Sequence, residues 1–340
     1  MKVRLKFLGA AQSVTGSKYL LELDKEKILI DCGLFQGQKE LRLRNWASLP
    51  VDPSTISTVI ITHAHIDHIG YLPRLVKDGF HGRIICTHAT KDLMEIMLRD
   101  AARLQEEEAN FAFKKGYSKH SKPEPLFTVE DAERVFKLVD SVRMEKEVKV
   151  INNSSVTFYN AGHILGAAIV ELKINTNAQS KTIIFSGDLG RYNDPIMYDP
   201  KAITKADILL IESTYGDRLN PMDQVENDLI EIINQAVKYH GTILVPAFAV
   251  GRTQVLIYYF NLLMSQKRIP TLPIYIDSPM AISVTELYER HGNMHKIKVT
   301  REGGELMSIF DSPNIHFCNT RESSKALNEI KHSAIIISAS

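Results

Sequence analysis

Cysteine is scarce in this chain: Cys32, Cys86 and Cys318 are scattered through 340 residues, with no CxxC pair. That argues against a disulfide framework or a structural zinc knuckle and favours a reducing compartment, the cytoplasm by default. Long apolar runs are lacking too. No segment reaches the ~18 uninterrupted apolar residues of a membrane span. The opening residues Met1–Lys6 lead into a short alternating strand, so neither export nor membrane association is expected. Net charge is almost absent, at +1, which gives no global pull towards nucleic acid or membrane. It still leaves room for a local basic surface. No internal repeat or low-complexity tract is present.

What remains is the composition of a soluble globular protein, long enough for one large or two ordinary domains. The first sixty residues read as β: Val3–Leu8, then Lys18–Leu23 and Lys27–Cys32 around the polar turn at Asp24, then Thr58–Ile61. A helix is expected from near Gly70, a strand at Arg83–Cys86, and a helix over Lys91–Glu108 burying Leu93, Met94, Met97, Ala101 and Leu104. A basic irregular stretch follows, with Lys114, Lys115, Lys119, His120 and Lys122. Thr128–Val142 has the spacing of an amphipathic helix, and strands resume at Ser155–Tyr159, Ala167–Leu172, Lys181–Phe185 and Asp207–Ile211. From Glu212 the pattern changes. Asn220-Pro221 reads as a helix start, and apolar strands at Thr242–Val245, Pro273–Ile276, Asn314–Phe317 and Ala334–Ile337 alternate with helices. That order predicts a parallel α/β sheet.

The chemistry concentrates in His63-Ala64-His65-Ile66-Asp67-His68, directly after an apolar strand. Histidines at i and i+2 on an extended segment point the same way, so His63 and His65 can hold one ion. Asp67 and His68 lie where the chain turns into a helix and can face a second. Imidazole and carboxylate ligands suit zinc, and the pattern points to metal-assisted hydrolysis. Two other expected strand ends carry further ligand-type residues, His163 and Asp188. His163 would complete the first imidazole set, and Asp188 could bridge both ions. Asp31, at the end of another expected strand, fits a carboxylate that orients the histidine loop.

HxHxDH followed by Gly162-His163 and Ser186-Gly187-Asp188 resembles the metallo-β-lactamase fold. Residues 9–17 (GAAQSVTGS), 29–37 (LIDCGLFQG) and 211–216 (IESTYG) narrow the likeness to the β-CASP nucleases, the branch of the cleavage and polyadenylation nuclease subunit. The resemblance implies an αββα sandwich over residues 1–212 with an inserted parallel α/β β-CASP domain over 213–340. It implies two zinc ions, one on His63, His65 and His163, one on Asp67 and His68, with Asp188 bridging and a metal-bridged hydroxide attacking an RNA phosphodiester. Asp67 and Glu212 become the expected catalytic acids and bases. Arg252 and Ser278, at strand-to-helix turns, are expected phosphate or RNA contacts. The implied partner is single-stranded RNA, with no membrane and with room for a homodimer.

The family pattern continues beyond this sequence, with two further histidines and the strands that close the first domain. The second ion is therefore expected to lack a ligand, and activity of residues 1–340 alone to be impaired. A non-catalytic RNA-binding scaffold and a small-molecule hydrolase of the same fold are the alternatives.

Overall fold

A computed structural model of the chain describes residues 3–116, 121–175, 179–219, 224–297, 300–302, 305–307, 310 and 312–339. The chain divides into two units, one holding residues 1–162, 166–190 and 199–214, the other 163–165, 191–198 and 215–340.

The first unit contains two facing sheets. One has the order β1 (Val3–Phe7), β2 (Tyr19–Leu23), β3 (Glu26–Ile30), β4 (Thr58–Ile60), β5 (Arg83–Thr87) and β6 (Val139–Val142). Its first three strands run antiparallel, β2 and β3 through a tight turn, and β3 to β6 are parallel. The other holds β7 (Val148–Ile151), β8 (Ser154–Asn160), β9 (Ala168–Asn175), β10 (Ser180–Phe185) and β11 (Ile208–Leu210) in the order β11-β10-β9-β8-β7. Their inner faces make one apolar core, with Leu21, Ile28, Ile30, Ile60 and Ile85 meeting Val156, Phe158, Val170, Leu172 and Phe185. β4 is buried along its whole length, as expected of a parallel strand covered on both faces.

Helices of this unit are α1 (Lys39–Leu43), α2 (Ile66–Ile69), α3 (Leu72–Lys77), α4 (His88–Lys115) and α5 (Val129–Phe136). α4 lies against β5 and β6 and packs on α2 and α5. It buries Leu93, Met94, Leu98 and Ala102, so the buried stripe drifts from the expected Ala101 and Leu104, and Leu104 is exposed. α4 also extends through Lys115, taking in Lys114 and Lys115 of the expected loop, whereas Lys119 and His120 lie outside the described residues.

Two expectations are corrected here. The helix after the histidine cluster begins at Ile66, with His65 at its N-cap, so Asp67 and His68 are helical. The expected helix over Thr128–Val142 is two elements. Thr128 starts α5 with a capping box to Asp131, and Val139–Val142 pairs in parallel with Ile84–Thr87. An eight-residue helix followed by the strand Val139-Asp140-Ser141-Val142 mimics helical spacing, and pairing with β5 decides the outcome. β7 went unforeseen.

The second unit has α6 (Val225–Lys238), β12 (Ile243–Ala247), α7 (Arg252–Ser265), β13 (Ile274–Asp277) and α8 (Pro279–Arg290). There follow the pair β14 (Thr300–Glu302) and β15 (Glu305–Met307), then β16 (Ile315–Phe317), α9 (Arg321–Ala326) and β17 (Ile335–Ala339). The sheet order β12-β17-β13-β16 is parallel throughout, as the alternation predicted. The Asn220-Pro221 helix start lies outside the described residues. No helix among the described residues is long and apolar enough to cross a membrane.

Candidate metal centre

Parallel pairing of β3 with β4 brings their C-terminal ends side by side, and the centre is built there. Asp31 N–H donates to Ile60 O (2.8 Å), while the Asp31 carboxylate accepts the amide and hydroxyl of Thr62 (2.8 and 2.9 Å). Thr62 O in turn accepts from Ala168 N–H of the second sheet (2.9 Å). Both sheets are thereby tied at the residue preceding His63.

The histidine loop is held from below by a second strap. Cys32 N–H donates to His68 O (2.7 Å), Ser17 N–H to Asp67 O (2.9 Å) and Leu34 N–H to Ile66 O (3.0 Å). The approach is close enough that a Cβ at Gly33 would lie 1.5 Å from Asp67 O. Lys18 supports this strap. Its ammonium is buried (2% exposed), donates to Gly33 O, and lies 4.6 Å from the Phe35 ring and 4.7 Å from the Tyr71 ring. Burial lowers its pKa from 10.5 to about 8.

His63, His65, His163 and Asp188 each offer a ligand atom, all within 4.8 Å of one another. His63 is fully buried, with Nδ1 3.0 Å from Thr62 Oγ1 and Nε2 3.1 Å from His65 Nδ1. His163 comes from the loop after β8, closed by Ala161 N–H donating to Ala167 O (3.0 Å). Asp188 comes from the loop after β10. One carboxylate oxygen lies 3.7 Å from His63 Nε2, and the other lies 3.3 Å from His68 Nε2.

His68 faces a second carboxylate, with Asp67 Oδ2 3.8 Å from Nε2, while its Nδ1 lies 2.8 Å from Asp31 Oδ2. Burial alone would depress the His68 imidazole, but Asp31 and Asp188 outweigh it and hold its pKa well above the ordinary value. Burial also raises the Asp67 carboxyl; His68 opposes that rise and Asp188 adds to it. The carboxylates of Asp67 and Asp188 crowded against imidazoles are a donor set a divalent cation satisfies, since it favours the deprotonated form of every group present. The residues fit a metal.

Glu212 lies in the same unit. Its carboxylate accepts from Leu189 N–H and Thr214 N–H (3.1 Å each), and its own amide donates to Ser186 Oγ (3.0 Å). It braces the loop carrying Asp188. A cavity of about 610 Å³ opens beside these groups, lined among others by Gln12, Asp31, Thr62, Asp188 and Glu212. Arg252 and Ser278 belong to the second unit. Arg252 is exposed at the start of α7, and Ser278 is buried with its hydroxyl accepting from Ala281 N–H (3.2 Å) as the cap of α8.

Three contributors went unread in the sequence: Thr62, Lys18 and Ser17, whose Oγ lies 3.4 Å from His68 Nε2. Thr62 directly precedes the cluster, and a hydroxyl beside the first ligand was the available signal. Lys18 offered none, because its burial depends on two distant rings.

A family model described as a metallo-beta-lactamase superfamily domain matches residues 20–209, and a Beta-Casp domain model matches residues 253–340. A ribonuclease of Thermus thermophilus is 33% identical over 339 residues, covering 99% of this chain and 73% of that protein. An RNase J-like protein of Methanocaldococcus jannaschii is 30% identical over 303 residues, 87% of this chain and 63% of its own. Cleavage and polyadenylation specificity factor 73 of Drosophila melanogaster is 30% identical over 306 residues, 88% of this chain and 42% of its own. A solved protein of unknown function from Enterococcus faecalis V583 aligns over all of this chain and 77% of its own, with a TM-score of 0.53 and 14% identity; it speaks to the fold alone. The chain belongs to the β-CASP nucleases of the metallo-β-lactamase superfamily, a family of metal-dependent hydrolases.

Proposed function

We propose that this chain carries the metal centre of a zinc-dependent ribonuclease acting on single-stranded RNA. Residues 1–212 form its metallo-β-lactamase domain, and residues 213–340 belong to its β-CASP domain. One observation carries the reading: the two oxygens of Asp188 face different imidazoles, His63 and His68, which suits one carboxylate shared between two ions. His63, His65, His163 and Asp188 would hold the first ion; Asp67, His68 and Asp188 would hold the second. Imidazole-rich sites select zinc over magnesium or calcium.

Bound there, the ions supply Lewis acidity towards water and towards an anionic phosphodiester. The protein's own groups do the rest. Asp31 and Thr62 fix the imidazoles, and Asp67, whose carboxylate lies beside His68, would take the proton released as water adds to phosphorus. Glu212 holds the Asp188 loop at the rim of the cavity and acts on the leaving side. Arg252, exposed at the start of α7, is assigned to an RNA phosphate in the same reading, whereas Ser278, buried as the cap of α8, is left to that structural role. The names of the relatives, ribonuclease and cleavage factor among them, support RNA as substrate. The β-CASP match argues against a small-molecule hydrolase, and six retained ligand-type residues argue against a pure scaffold. The three cysteines, free and buried, agree with the cytoplasm.

The test is cleavage of labelled single-stranded RNA with and without a chelator, beside Asp67→Ala and a metal count on the same preparations. Zinc-dependent cleavage, at the reduced rate expected of residues 1–340 alone, that disappears in Asp67→Ala with metal retained at the first site, is expected. Equal cleavage in chelator would overturn the reading.

A further inference from the structure

Trp46 is the chain's one tryptophan, and 52% of it is exposed. It ends a loop that leaves the metal-centre strap at Gln36. Within that loop α1 buries none of its residues, and Leu43 is 57% exposed. Lys39, Arg42 and Arg44 stand against the single carboxylate of Glu40, and all three are exposed. Lys39 and Arg42 make no ion pair among the described residues. Arg44 lies over the Phe35 ring at 5.5 Å, which limits its freedom. A single exposed indole beside Lys39 and Arg42, which have no carboxylate partner among the described residues, calls for a partner that offers both flat rings and negative charge.

The base of this loop is fixed while its tip faces water. Asn45 is buried, its Oδ1 accepting from Phe35 N–H (2.9 Å) and its Nδ2 donating to Phe35 O (2.8 Å), so one side chain closes the loop as a strand neighbour would. Gln36 N–H donates to Thr15 Oγ1 (2.9 Å). The same strap, two residues earlier, is bonded to the backbone of Ile66 beside Asp67. An anchored loop presents its side chains with little ordering cost on binding.

Aromatic faces interleaved with guanidinium and ammonium groups are how single-stranded nucleic acid is held without sequence preference: a base stacks, and cations take its phosphates. We propose that the loop over residues 37–47 is a second contact for single-stranded RNA, outside the metal ligands. Trp46 takes a base face, and Arg42 and Arg44 take phosphates. The inference rests on the ribonuclease reading and assigns part of the strand's path. A duplex keeps its bases stacked and offers the indole nothing.

Because the chain holds one tryptophan, the residue reports on itself. The full chain, as isolated and again in chelator, is titrated with oligouridylate of about ten nucleotides, within the usual footprint of single-strand binders. Saturable quenching of tryptophan emission is expected in both conditions. Arg42→Ala/Arg44→Ala should weaken binding of labelled RNA about ten-fold and flatten its log–log salt dependence by about 1.4, for two lost phosphate contacts. Trp46→Ala should weaken it by a similar factor, as loss of one stacked base does. Unchanged thermal unfolding of both variants checks that the fold is intact.

RNA bound with equal affinity by wild type and variants, with silent tryptophan emission, overturns the loop assignment and leaves the ribonuclease reading standing. Neither binding nor cleavage of RNA by the wild type overturns both. An equal response to duplex DNA, or a change that follows protein concentration alone, overturns the stacking role in favour of a general polyanion or protein contact.

Discussion

His68 Nδ1 lies 2.8 Å from Asp31 Oδ2, and that carboxylate is itself pinned by the amide and hydroxyl of Thr62. Asp31 holds a left-handed backbone (φ 56°), which costs a non-glycine residue ~1 kcal/mol and persists only where surroundings over-determine it. Asp31→Asn keeps the size but turns one acceptor into a donor, which must then oppose either Thr62 N–H or His68 N–H. Metal affinity should fall about 10- to 100-fold, as for other lost partners of ligating histidines. Equilibrium competition with a chelating dye measures it; unchanged affinity would show that Asp31 merely fills space.

Gly33 and Gly37 separate close packing from backbone strain. A Cβ at Gly33 would meet Asp67 O at 1.5 Å, Asp67 C at 2.0 Å and His68 N at 2.6 Å, all backbone atoms with nowhere to go. Gly33→Ala should cost about 3 kcal/mol or more and displace the ligand loop. At Gly37 (φ 79°) nothing lies within 4 Å of the added methyl, so Gly37→Ala should cost only ~1 kcal/mol, from conformation alone. Urea unfolding of the two variants gives the comparison, and equal losses would contradict the packing account.

Lys18 gives the chain a pH-dependent stability with a definite sign. Its folded pKa of about 8 lies below the ordinary 10.5, so the folded state binds fewer protons between those values and stability rises with pH across that window. Below pH 8 the cost of burying the ammonium is present in full, at about 3 kcal/mol by linkage. Above 10.5 it is relieved. Lys18→Met removes the titration, so the stability difference between wild type and variant should shift by about this amount in favour of wild type on going from pH 8 to 10.5. Parallel urea curves across the window read it, and a pH-independent difference would mean that Lys18 titrates normally.

The candidate ligands were legible because metal chemistry needs few residue types at strand ends, and His63, His65 and Asp67 announce themselves by spacing alone. His163 and Asp188 needed the strands before them to be read correctly, and β8 and β10 end within a residue of expectation. The parallel order of the second unit was legible for the same reason, since short apolar strands alternate with helices. What escaped depends on neighbours distant in sequence. Val139 is a strand residue because β5 needs a parallel partner, and Lys18 is buried because Phe35 and Tyr71 close over it. No local pattern encodes either. Trp46 escaped for the opposite reason: its meaning lies in its exposure, and sequence periodicity describes what is buried.

Metal removal should be visible as lost stability even without substrate. An ion bound only by the folded chain, present at a hundred times its Kd, adds about 2.7 kcal/mol per site. Chelation should therefore lower the unfolding midpoint of the wild type. The variants then rank by how many ligands each removes. Asp188→Ala withdraws a carboxylate facing both His63 and His68 and should abolish most of the chelator response. His163→Ala removes one member of the four-residue cluster and leaves Asp67, His68 and Asp188 in place, so part of the response should survive. Thermal unfolding of the three proteins, with and without chelator, decides the point. Equal residual responses in the two variants would mean that Asp188 serves one ion and that the shared-carboxylate geometry is incidental.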